Sequence, residues 1–347
     1  MDLALRPQGR WLPWMIGLAL LAVGATAAIW VSQARASAPK QMDVPLAGVS
    51  VEPEAELETQ FEAGCEQPMR QRRFDDALRG CKNFLDRPKL AGRANARLAI
   101  AEGLRSEGAA PPASIHHAEQ AARLQDPLGE LVHAIHILNG DGRAAELSVD
   151  DAVRLLGRAQ QGGVAAAKAM LEQLDSDQQC RQQARVQLFE QAVFCMRRGE
   201  LRNALRAQGL REQDSSGDGE RDVFAVGHKL PGARQLVVSY MRGAQSRLLQ
   251  VAELSYRFPT QGPAELALTS QRLRSALQGK YGQAVSESAP LRWRSDDGVD
   301  IELRTEPGHN LLLSYRIAER VAVRDEQQRR KVQLAAERLV ALTARAL

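Results

Sequence analysis

Tryptophan, tyrosine and phenylalanine together make up only 4% of this 347-residue sequence. That scarcity tells against an aromatic-rich sandwich core, and the abundance of alanine, leucine and arginine favours helices. Lysine is scarce as well, with seven residues among 46 basic ones, and the formal net charge is only +4. A balance so close to neutral gives no nucleic-acid partner. Histidine numbers six and cysteine four. The sequence holds no nucleophile with a base in a recognisable context, no phosphate-cradling glycine loop and no paired-carboxylate motif. No enzyme activity and no cofactor are therefore expected.

What is present begins with a long apolar run. "WLPWMIGLALLAVGATAAIWV", Trp11 to Val31, is 21 residues without a charge, enough to cross a bilayer as one helix. Trp11, Trp14 and Trp30 sit at its ends, where amphipathic rings favour the membrane interface. The alternative is a cleaved signal peptide, with Arg6 and Arg10 as its charged start and Ala34 to Ala36 as the cleavage site. Residues 1–36 are thus an anchor or signal segment, and the length of the run favours the anchor. Four cysteines lean towards an oxidising compartment. The expected location is a bacterial inner membrane, single pass, with the C-terminal bulk in the periplasm. Cleavage near Ala36 would instead release a soluble periplasmic or secreted protein.

Residues 37–54 lack periodicity and read as a linker. From 55 to 210 the pattern is helical, with apolar positions three and four apart. Gly108 and Gly142 are 34 residues apart, as are Ala118 and Ala152. Each glycine follows one helical segment and precedes a loop and a second, so the period marks an α-solenoid of helical hairpins. Ala94, Ala118, Ala122, Ala152, Ala159 and Ala167 suit close backbone approach, and Gly140, Gly142, Gly162 and Gly163 suit helix ends. A further long helix is expected from Ser176 or Asp177, broken at Gly199.

Leu138, Gly140, Gly142, Asp151, Ala152, Leu156, Ala159, Gly162 and Ala166 together make the segment from about 94 to 174 resemble Sel-one-like repeats, an alanine-rich branch of the tetratricopeptide-like family. Pro127 and Asp126 stand where that family usually has a glycine, and no tyrosine precedes Gly140. The resemblance implies a scaffold that binds proteins, not an active site.

Residues 211–221 read as a polar linker, after which the apolar period changes from 3.6 to 2. Leu254, Tyr256 and Phe258 alternate with Ser255 and Arg257. Val299, Ile301 and Leu303 alternate with Asp300, Glu302 and Arg304, and Leu311, Leu313, Tyr315 and Ile317 share a face. Such alternation predicts a sheet with one buried face. Pro231-Gly232, Asp297-Gly298 and Pro307-Gly308 mark its turns. An amphipathic helix between the strand groups ends at Gly282. Residues 222–317 are therefore expected as a small α+β domain able to fold alone, followed by a charged helix over 318–347. That last helix carries Val332, Leu339 and Leu342 on one stripe, for packing on the sheet or for self-association.

Some clusters invite a chemical reading. His116, His117, His133 and His136 fall within 21 residues, and the last two are spaced to share a metal; exposed or packed helix histidines are the plainer reading, and no metal site is expected. Asp214 to Asp222 resembles a calcium loop around Gly219, but Ala225 replaces its bidentate glutamate and Arg221 adds a positive charge. Cys65 and Cys81 lie seven and nine residues to either side of the turn near Arg72, so antiparallel helices would bring them to similar heights and a disulfide across that hairpin is feasible. Cys180 and Cys195 lie on what reads as one continuous helix, which would hold them ~22 Å apart at 1.5 Å per residue. The whole is α+β and multidomain: a transmembrane helix, a solenoid, a small antiparallel sheet with a packed helix, and a C-terminal helix. The expected function is a membrane-tethered adaptor or assembly factor of an envelope complex with a protein partner. The alternatives are a periplasmic accessory protein binding cell wall, or another ligand, through its α+β domain, or an enzyme with no recognisable motif.

Overall fold

The computed structural model describes residues 54–346 except 107–108, 216–218, 244–246 and 287. Residues Glu52–Leu347 form one compact unit. Helices come first and a seven-stranded antiparallel sheet follows, so the class is α+β. The expected transmembrane helix is corrected. No helix among the described residues is long and apolar enough to cross a membrane, and Trp11 to Val31 lie outside those residues.

The helical part contains α1 (Glu54–Phe61), α2 (Gln67–Arg70), α3 (Phe74–Lys82), α4 (Ala91–Arg105), α5 (Pro112–Arg123), α6 (Pro127–Asn139), α7 (Val149–Gln161), α8 (Ala165–Gln183) and α9 (Arg198–Ala207). From α3 to α8 each helix packs on the next, and α4 also packs on α6. The small residues explain how. Ala94, Ala118, Ala152, Ala159 and Ala167 are fully buried, so these contacts are made close to the backbone. Helix ends follow local chemistry. Asp126 caps α6 by accepting from the Gly129 N–H, and Ser148 caps α7 in a reciprocal box with Asp151. Gly140, at φ 65°, closes α6 in the left-handed region.

Cys65 and Cys81 are joined across the first hairpin, with Cα atoms 4.7 Å apart. One residue before each lies a glycine, and a Cβ on Gly80 would overlap the Gly64 carbonyl. The backbones meet there, which brings the two cysteines within reach of each other.

The expected helix from Ser176 does not exist. Ser176 and Asp177 lie inside α8, which ends at Gln183. The next fourteen residues turn back through Phe189 and Glu190, both at positive φ. This return allows Cys180 and Cys195 to bond, with Cα atoms 5.6 Å apart. The return segment is tied to the sheet: the Asp297 carboxylate accepts from the backbone N–H of Arg185 and Val186 at 2.7 and 2.9 Å. Two disulfides point to an oxidising compartment, periplasmic or extracellular.

The sheet is larger than expected. Its strands are β1 (Arg211–Ser215), β2 (Arg221–Ala225), β3 (Gln235–Arg242), β4 (Leu249–Pro259), β5 (Leu291–Arg294), β6 (Asp300–Glu306) and β7 (Asn310–Arg316), in the order β1-β2-β3-β4-β7-β6-β5. The polar linker expected over 211–221 in fact supplies an edge strand. One face carries the core: Leu254, Tyr256, Phe258, Ile301, Leu303, Leu311, Leu313 and Tyr315 are buried there, as the alternation predicts. Helix α10 (Pro263–Tyr281) packs on β7, and Leu201, Leu205 and Leu210 from α9 and its C-terminal turn join the same cluster. Helix α11 (Ala318–Ala346) packs along β3 and β4. Arg320 donates to the carbonyls of Phe194 and Val251, and Arg324 pairs with Glu253. Val332 on the expected apolar stripe is 66% exposed, while the side chains of Leu339 and Leu342 lie outside the described residues.

Candidate functional site

Two features converge where α6 ends. The first is a buried junction between the helices and the sheet. Gly140 meets Gly199, at the start of α9, so closely that a Cβ on Gly140 would stand 2.7 Å from the Gly199 Cα. Beside this contact Arg198 is buried, and its Nε and Nη2 donate to Asp222 of β2 at 3.0 and 2.7 Å. A further nitrogen of the same guanidinium donates to the Asn139 carbonyl at 3.3 Å and lies 3.6 Å from Asp141. Burial by itself would lower the Arg198 pKa, but the hydrogen bond and charge of Asp222 outweigh it and hold the guanidinium above its usual value. Asn139 reaches β4, with its side-chain oxygen accepting from the Leu249 N–H at 2.8 Å. Arg202 donates to the Gly140 carbonyl at 2.6 Å and pairs with Glu212 of β1.

The second feature is a cleft of about 320 Å³ bounded by α4, α6, the start of α5 and the β3–β4 end of the sheet. Its walls are mainly apolar. At the polar side stand Ser114, His136 and Asp141 in a chain. Ser114 Oγ is 3.2 Å from His136 Nε2, and His136 Nδ1 is 2.9 Å from Asp141 Oδ2. An ionised carboxylate only accepts, so Nδ1 carries a proton in this arrangement. Ser114 also donates to the Ala99 carbonyl at 2.7 Å and is 1% exposed. Its single hydroxyl proton can serve the carbonyl or the imidazole, not both. The alignment is that of a hydrolase triad, with a hydroxyl turned to a neighbouring helix and an aspartate shared with a buried arginine.

The other histidines go elsewhere. His117 Nδ1 meets Asn95 at 2.8 Å, and His116 lies 3.4 Å from Arg143. Burial and the neighbouring His136 lower the His133 pKa, and burial with His116 lowers that of His117. Among the described residues no group of three or more His, Cys, Asp or Glu side chains could hold a metal ion. The loop read against a calcium pattern has another use for its last carboxylate: Asp222 is fully buried against Arg198.

The repeat signature separates into physical roles. Leu138, Ala152, Leu156 and Ala159 are buried in one cluster. Asp151 is a cap; its hydrogen bonds with Ser148 hold its carboxyl below the usual range. Gly142 sits at φ 49°, Gly162 approaches Pro127, and Ala166 is exposed beside the buried Ala167. Gly108 lies outside the described residues. No sequence signal singled out Ser114 or Asp141, because the partners of His136 lie 22 residues before it and five after. No family model, curated protein or solved structure matches this chain.

Proposed function

We propose that this protein is an extracytoplasmic adaptor, located in the periplasm, that binds a protein partner through stacked helix pairs of the Sel-one-like kind and catalyses nothing. The observation that carries this reading is the packing from α4 to α8, in which each helix rests on the next through fully buried alanines. Stacked pairs of this construction leave continuous outer surfaces, and proteins built so generally work by binding. Leu124, Leu147 and Val153 leave apolar surface open on this part of the molecule. The test places a photo-crosslinking residue at Leu124 or Val153 in the full chain in cells, with Val285 beyond α10 as the control. Discrete protein adducts at the first two positions, and none at the control, are expected. Retention on isolated cell wall without protein adducts would favour the accessory reading and overturn this one.

A second reading rests on the Ser114–His136–Asp141 chain, whose order of hydroxyl, imidazole and carboxylate resembles that of an acyl-hydrolase triad. Turnover of p-nitrophenyl esters that disappears in Ser114→Ala would establish it. Absence of turnover in the folded wild-type protein would dismiss it.

A further inference from the structure

The cleft has a chemistry of its own. Ile100 and Leu104 on one face of α4 stand across from Leu128, Val132 and Ile135 on one face of α6, and all five are only half-buried although they line a concavity. Their spacings of three and four keep each set on its own helix stripe. Gly103, between the two α4 side chains, adds no bulk to the wall. The remaining boundary is cationic. Arg242, at the end of β3, and Arg247, in the loop before β4, both line the cleft. Neither guanidinium has a carboxylate partner among the described residues, in a chain where most described arginines of the sheet and of α11 are paired. Asp141, the carboxylate lining the same cleft, is engaged by His136 and Arg198.

Two cations side by side repel. Burial and the charge of Arg242 together lower the Arg247 pKa, so an anion bound in the cleft would offset that repulsion. The Arg247 backbone is left-handed at φ 55°, and its carbonyl accepts from the Asn139 side chain at 3.3 Å. A volume of about 320 Å³ is at the small end of ligand pockets. It suits one narrow apolar chain, not a folded element.

We propose that this cleft binds a single-chain anionic amphiphile, an unbranched acyl carboxylate whose chain lies between α4 and α6 and whose head group is held by Arg242 and Arg247. The chain would displace water from half-buried aliphatic surface. The head group would supply the negative charge that the two arginines lack. Neither contact uses Leu124, Leu147 or Val153, the exposed positions assigned to a protein partner.

Calorimetric titration of the purified protein with octanoate, decanoate and dodecanoate, each below its micelle concentration, tests this directly. Each methylene added should tighten binding about fourfold, the factor given by ~0.8 kcal/mol per buried CH₂, until the cleft is filled. Dodecanol and dodecyltrimethylammonium should bind at least tenfold more weakly than dodecanoate. The double variant Arg242→Gln/Arg247→Gln should lose the preference for dodecanoate over dodecanol, and Leu104→Trp should abolish binding by filling the cleft; circular dichroism checks that each variant folds. No binding of dodecanoate to the wild-type protein would overturn the proposal, as would affinity that ignores chain length. Equal affinity for dodecanol would remove the arginine head-group site. Binding undiminished in Leu104→Trp would place the ligand elsewhere and also overturn it.

Discussion

Asp222→Asn is the sharpest probe of the junction that makes helices and sheet one unit. Asp222 is fully buried and the Arg198 side chain is 4% exposed. The substitution keeps the shape, removes the charge, and turns one acceptor oxygen into a donor that faces guanidinium N–H groups. Breaking one partner of a buried pair costs ~3–5 kcal/mol, because the other charge is left uncompensated. Asp141, 3.6 Å from Arg198, supplies part of the missing charge, so the lower end applies, about 3 kcal/mol. Unfolding entropy of about 2.1 cal/mol/K per residue gives ~0.6 kcal/mol/K for a unit of about 300 residues, hence a fall in Tm of about 5 °C. Thermal melts followed by far-ultraviolet circular dichroism would read this. The loss should persist in high salt, since buried pairs are little screened. Arg198→Met/Asp222→Leu should recover most of it, because apolar replacement of both partners removes the desolvation cost as well. A Tm for Asp222→Asn within about 1 °C of wild type, or a double variant worse than the single, would refute the reasoning.

Other outcomes follow from the same structure. Burial lowers the pKa of His133 and His117 below the ordinary imidazole value of about 6.5, so as the pH falls through that value the unfolded chain takes up protons first and stability is lost. Urea titrations at pH 7.5 and 5.5 should show this loss, and His133→Gln should shrink it; an unchanged pH dependence would count against the buried neutral ring. Ala159 is fully buried, and Ala159→Leu should cost ~1–3 kcal/mol by overpacking; a neutral result in denaturant would mean the helices can yield there. A chain beginning at Asp222 loses β1, the Arg198 partner and the core residues Leu201, Leu205 and Leu210. It should give the collapsed NMR dispersion of a poorly packed protein, and a well-dispersed spectrum would show that the sheet and α10 suffice.

Local physics made much of this fold readable from sequence. Alternation placed Leu254, Tyr256 and Phe258 on the buried face because a strand reverses its side chains at every residue. Turn pairs such as Asp297-Gly298 and Pro307-Gly308 stand where expected, with both glycines at φ 77°. Cys65 and Cys81 could be matched because a hairpin of known turn position sets the heights of its two sides.

What stayed hidden depended on distant partners. β1 reads "REQDS", with no apolar face, and becomes a strand only because β2 offers its edge and Glu212 finds Arg202 and Arg206. Cys180 meets Cys195 because α8 stops early and the chain returns under the grip of Asp297, more than a hundred residues away. Gly199 looked like a helix breaker, but it is the point where α9 touches the end of α6. Glu302 alternates as an outward residue and yet is buried, between Arg292 and Arg316 of neighbouring strands. Ser114, His136 and Asp141 come from two helices and a turn, and no spacing rule joins them. The sequence by itself determined that a helical part comes first and an alternating, strand-forming part follows, since each answers to its own periodicity. Only the tertiary structure decided which polar groups would be buried together, because a charge can leave water only where the packed chain brings it a partner.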